Sequence, residues 1–210
     1  MIDIAAGILG GAAVAAVAAS LGVTERLARR HEVATKTSAT LFVVEWIAGA
    51  GAYLVIGVFG GDWIGAACAG SALMAAANAA RTDFTAGTVS DMASLVILVA
   101  GALYASWAHS DLSLLQSAAG GALSVGVLLL ALAIVRLRSG LSGLGNGDLL
   151  LGGAAGFWTG IGGVGYALLI AVALTGAYGV LRKAKPTTRL PFAPGLVSGF
   201  ALVAIVQELS

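Results

Sequence analysis

The sequence predicts an all-α fold: a polytopic bundle of about eight transmembrane helices, forming one membrane-embedded domain over residues 1–210. Three observations predict it. Hydrophobic residues make up 59% of the chain and charged residues 10%, with a mean hydropathy of +0.99, whereas a soluble domain carries about 25% charged residues. The apolar residues run uninterrupted, which excludes an outer-membrane barrel made of segments of about ten alternating residues. The 31 glycines and abundant alanines suit helices that approach closely through small residues, as membrane helices do when lipid gives no hydrophobic drive to associate.

Apolar runs place spans near 2–22, 40–59, 63–80, 92–108, 112–135, 149–181 and 190–207. The first contains Asp3 and no basic lead-in, so it is expected to be a retained span and not a cleaved signal peptide. Residues 23–39 form a short loop. The run 149–181 is too long for one crossing, at about 50 Å of helix against about 30 Å of hydrocarbon. Arg136 and Arg138 precede it, and Arg182, Lys183, Lys185 and Arg189 follow it. Positive residues favour the cytoplasm, so both flanks belong there and the chain must cross twice, turning near Gly160-Ile161-Gly162-Gly163.

With that turn there are eight spans, and all 11 Lys and Arg residues fall on one side. Arg26, Arg29, Arg30 and Lys36 follow span one, and Arg81 follows span three. The opposite side holds Asp3, Asp62, His109, Asp111 and Glu208. Both termini are therefore expected on the non-cytoplasmic side of the inner membrane. Trp46, Trp63, Trp107 and Trp158 fit interface anchors or packing.

This topology sets Asp83 and Asp148 level with each other at the cytoplasmic boundary. A charge at the bilayer centre costs on the order of 2.5–3.5 kcal/mol, so such a residue lies near the interface, is shielded, or does work. Asp148, in "SGLGNGDLLL", also fits a helix cap after a Gly/Asn turn. Asp83 fits an ordinary loop residue, and Asp91 fits a cap of the next span together with Ser90. A pair of carboxylates sharing a proton is, however, the apparatus of aspartyl proteolysis. One activates water while the other, kept protonated by like-charge repulsion, polarises the scissile carbonyl. Sequence spacing alone does not pair Asp83 with Asp148.

Four segments resemble the type IV prepilin peptidase family and its preflagellin peptidase relatives, in family order. Gly145-Asn146-Gly147-Asp148 matches the family's Gly-x-Gly-Asp motif. "TDFTAGTVSD" is similar to its first catalytic segment, with Val89-Ser90 for Ile-Pro and Asp91 where Asn is usual. "RLPFAPGLVSG" resembles its Ile-Pro-Phe-Gly-Pro helix entry and contains Pro191 and Pro194, and "FVVEWIAGAGAYLVIG" resembles its Val-Glu segment, with Glu45 on the Glu.

The resemblance implies an aspartyl endopeptidase with Asp83 and Asp148 catalytic, supported by Gly145, Gly147, Glu45, Pro191 and Pro194. Its substrates would be type IV prepilin-like or pseudopilin-like precursors, cut at the cytoplasmic face after a Gly that ends a short basic leader. Glu25, Glu32 and Asp91 are candidate contacts for that leader. Full-length family members carry an amino-methylating domain with two Cys-x-x-Cys pairs between spans one and two. Here that stretch is residues 23–39 and the chain has one cysteine, Cys68, so peptidase activity without methyltransferase is implied. Leu150 stands where a basic residue follows the motif Asp. No cofactor, metal or nucleic acid is expected, and membrane lipid is the surrounding partner.

Two rival readings differ in class. Gly140-Leu141-Ser142-Gly143 fits the Gly-x-Ser-Gly of rhomboid-like serine proteases, but Ser needs a nearby His, and His31 and His109 are expected on opposite faces. A zinc site fails on the same two histidines. The non-enzyme alternative is a small transporter or channel with Glu45 as ion or proton site; no internal repeat supports it. Glu45 also fits a carboxylate snorkelling to the interface.

Overall fold

The computed structural model describes residues 62–107, 112–139, 144–183 and 190–209. Every regular element among them is an α-helix, in the order α1 (Trp63–Ala86), α2 (Asp91–Ser106), α3 (Leu114–Ser139), α4 (Asn146–Leu181) and α5 (Ala193–Leu209). Local signals set the helix ends. Asp62, in extended conformation, accepts the N–H groups of Ile64 and Gly65 at 3.1 and 3.0 Å and so starts α1. Gly87 stops it in the left-handed region (φ 64°), donating its N–H to the Asp83 carbonyl. Ser113 and Gln116 exchange backbone–side-chain hydrogen bonds at the head of α3, a reciprocal capping box. Arg136 and Arg138 lie in its last turn, where they complement the negative end of the helix dipole.

Several expected boundaries move. The span expected at 63–80 continues to Ala86, so Asp83 stands in the last helical turn and not in a loop. Hydropathy penalises Arg81 and Asp83, yet both are buried in the fold. The span expected at 112–135 likewise runs through both arginines.

The helix α4 is not straight. Gly160 has φ 58° and ψ −175°, which interrupts it. On a straight helix Gly147 and Tyr178 would stand about 46 Å apart. Instead Val89 lies against Gly147 and the Phe84 ring meets the Tyr178 ring edge-on at 5.4 Å between centroids. Phe84 and Val89 are themselves no more than about 18 Å apart along the chain. The two ends of α4 therefore return to the same end of the bundle, with the reversal at the glycine run where the sequence places it. Only a residue without a β-carbon takes the Gly160 conformation readily, and a β-carbon there would also stand 2.9 Å from Leu112.

The remaining helices alternate around this bent hairpin. Along the first half of α4, α3 runs antiparallel through glycine contacts: Gly120 faces Gly156 and Gly160, and Gly121 faces Gly153. Along the second half, α5 does the same, with Gly195 against Ala171, Gly199 against Ala167, and Gln207 donating to the Thr159 carbonyl at 3.2 Å. Trp158 anchors α4 to α2 by donating to the Ile97 carbonyl at 2.9 Å and stacking on Tyr104; its role is packing. The interior is built largely of alanines, with Met74, Leu151, Leu196 and Phe200. Large apolar side chains such as Leu103, Leu115, Leu130 and Leu169 face outward. Small residues inside and large apolar residues outside suit a bundle solvated by lipid. Three of the helices, α1, α3 and α4, are long and apolar enough to span a membrane.

Candidate active site

Among the described residues the basic side chains Arg81, Arg136, Arg138, Arg182 and Lys183 gather at one end of the bundle. This is the end that holds the α1–α2 turn, the start of α4 and the start of α5. Asp83 and Asp148 are both there, and both are buried, at 6% and 7% exposure.

Asp148 is not the helix cap that its sequence context suggests. The N-cap is Gly145, in extended conformation (φ −86°, ψ 161°), and Asp148 is three residues inside the helix. Its Oδ2 reaches back to accept the N–H of Gly145 at 3.0 Å. That is the carboxylate half of a capping box, and it places the acid in the first turn, where the helix dipole favours negative charge. Gly147 explains itself by a close approach: a β-carbon would stand 2.9 Å from Val89 Cβ and 3.2 Å from its carbonyl oxygen.

Asp83 also meets a helix start, but a distant one. Its Oδ2 accepts the N–H of Ala193 at 2.9 Å, across 110 positions of sequence. The first N–H groups of any helix lack an intrahelical acceptor. Pro191 and Phe192 precede α5 outside any regular element, and Pro194 in its first turn has no N–H to satisfy. Each aspartate thus holds one backbone N–H at the head of a helix, Asp148 that of α4 and Asp83 that of α5.

Asp91 is the first residue of α2 and exposed, and its N-cap neighbour Ser90 makes no side-chain capping bond. The cap expected from Ser90 and Asp91 is therefore absent; Asp91 contributes only a favourable charge to the first turn. Glu25, Glu32 and Glu45 lie outside the described residues, as do Ser142, His31 and His109. Among the described residues no group of three His, Cys, Asp or Glu side chains comes together as a metal site.

A model of the type IV leader peptidase family matches residues 68–180, more than half of the chain and a span that contains both aspartates. The chain belongs to the type IV leader peptidase family. Searches of curated proteins and of solved structures returned no match. Membership in the leader peptidase family implies a peptidase, and with the apolar helices it makes this a membrane protein. The sequence did not point to Ala193 as a partner of Asp83. Its one signal was the pair Pro191 and Pro194, which marks a helix start whose free N–H groups need acceptors from elsewhere.

Proposed function

We propose that this chain is a membrane-embedded aspartyl endopeptidase, with Asp83 and Asp148 as its catalytic pair, that removes leader peptides from type IV prepilin-like or pseudopilin-like precursors at the cytoplasmic face of the inner membrane. One observation carries the pairing. Val89, six residues after Asp83, lies on Gly147, the residue before Asp148, so the segments bearing the two buried acids meet at the bundle's basic end.

In this reading an ionised carboxylate takes a proton from water as the water oxygen attacks the scissile carbonyl carbon, while the other, protonated, donates to the carbonyl oxygen. Collapse of the tetrahedral intermediate passes a proton to the amide nitrogen and breaks the C–N bond. The leader departs with a new carboxyl group and the mature protein with a new amine. Oδ2 of each acid accepts a backbone N–H, which helps to orient it. Gly145 and Gly147 shape the support for Asp148, and Pro191 and Pro194 the helix entry at Asp83. Glu45 is proposed to orient helices or tune the aspartates. Exposed Asp91, beside the Val89 contact, is proposed to meet the basic leader together with Glu25 and Glu32.

The test is cleavage of a prepilin by purified protein carrying Asp83→Asn or Asp148→Asn. Each should abolish cleavage while expression and helix content stay near wild type. Near wild-type cleavage by Asp148→Asn would reduce that residue to a structural support of α4 and end the proposal.

A further inference from the structure

We infer that Leu190, seated on Gly179, is a positioning residue that sets the start of α5 and thereby the hydrogen bond from Ala193 to Asp83. This inference rests on the reading of Asp83 as catalytic. The donor is a backbone group, so no rotamer can adjust it; only movement of the helix start can. Ala193 is fully buried and Asp83 nearly so, which leaves little room for water to replace a displaced N–H.

Two sets of contacts hold that start. Along α5, Gly195 and Gly199 ride on the carbonyls of Ala171 and Ala167, with a Gly195 β-carbon position 2.7 Å from the former. They fix how closely α5 lies on the second half of α4. Ahead of α5, Leu190 fills the hollow left by buried Gly179: its Cδ1 and Cδ2 stand 2.8 and 3.8 Å from the place where a β-carbon would be. Pro191 then transmits this seat. Its ring fixes its own φ and restricts Leu190 to extended conformations, and Phe192 packs against the buried core, so few backbone torsions are left between Leu190 and Ala193 to absorb a shift. Filling the hollow should displace the N–H from the carboxylate without touching the carboxylate or the approach of substrate from outside.

The experiment measures kcat and KM on the full-length protein in proteoliposomes, with a synthetic peptide bearing a basic leader that ends in Gly ahead of an apolar helix. Gly179→Leu should lower kcat by up to about a hundredfold, the scale of an ångström-level misplacement at a reacting group, with KM within about twofold. Adding Leu190→Ala, which vacates the volume that the new side chain takes, should restore most of the loss. Wild-type kcat in Gly179→Leu, or a double variant no better than Gly179→Leu alone, overturns the inference. Should Gly179→Leu fail to fold, Ala193→Pro deletes the same N–H at a helix position that accepts proline. It should give the same kcat loss at unchanged KM, and an unimpaired kcat overturns the inference. Full activity of Asp83→Asn would instead sink the catalytic role of Asp83, a result distinct from an inactive Asp83→Asn beside fully active Gly179→Leu and Ala193→Pro.

Discussion

Val89 lies against Gly147 so closely that a β-carbon on the glycine would stand 2.9 Å from Val89 Cβ. The contact joins the turn that follows Asp83 to the first turn of α4, which carries Asp148. Gly147→Val should therefore push the two elements apart and cost at least about a hundredfold in cleavage rate, the scale expected when a reacting group is misplaced by about 1 Å. Leu150→Ala, at an exposed position on the same helix, should leave the rate within a factor of about three. Equal losses in the two variants would separate the Val89 contact from activity.

The two aspartates should behave as one unit. The double variant Asp83→Asn/Asp148→Asn should be no slower than either single variant, because removing one member of a cooperating pair already removes the function. Asp91→Asn should retain at least about a third of wild-type kcat, since Asp91 is exposed and caps nothing, with any lost contact to the basic leader appearing in KM. Multiplicative losses from Asp83 and Asp148 in single-turnover cleavage would argue for independent roles.

The reversal at Gly160 brings both ends of α4 to one end of the bundle, and the positive-inside tendency predicts that this end faces the cytoplasm. In a Cys68→Ala background, Ala28→Cys, Ala86→Cys, Gly140→Cys and Ala184→Cys should react with an impermeant thiol reagent only from the cytoplasm. Gly61→Cys and Ser110→Cys should react only from outside. Labelling of positions 140 and 184 from opposite sides would make α4 a single crossing and remove Asp148 from the level of Asp83.

Glycine seams carry the packing of α3 on α4. A β-carbon at Gly120 would stand 2.5 Å from the Gly156 carbonyl oxygen, which is backbone and cannot swing aside. Gly120→Ala should destabilise the bundle by roughly 1–3 kcal/mol, the range for overpacking. Gly126, on the same helix with nothing within 4 Å, should tolerate Ala with no loss, and by helix propensity gain about 0.5–1 kcal/mol. Unfolding of the two variants in denaturant, followed by circular dichroism, separates these outcomes.

The sequence by itself determined what depends on near neighbours and on solvent. Uninterrupted apolar length dictated helices that face lipid, because only a helix satisfies its own backbone groups there. The distribution of Lys and Arg put Asp83 and Asp148 at one level. The cap at Asp62 and the reversal at Gly160 follow from residue types within a turn of where they act. The Gly145–Asp148 motif and its three companion segments named the family that the match over residues 68–180 bears out.

Tertiary structure decided the partners. Nothing near Asp83 in the sequence says that α1 runs past it, since Arg81 and Asp83 look too polar for a span and become tolerable only once buried by other helices. Nothing near Asp148 says that a backbone N–H behind it, not one ahead, will take its carboxylate. The acceptor that α5 needs for Ala193 lies 110 positions away. The physical reason is one of range: hydropathy and capping are summed over a few residues, whereas a hydrogen bond between the end of one helix and the start of another exists only after the bundle has brought both to the same place.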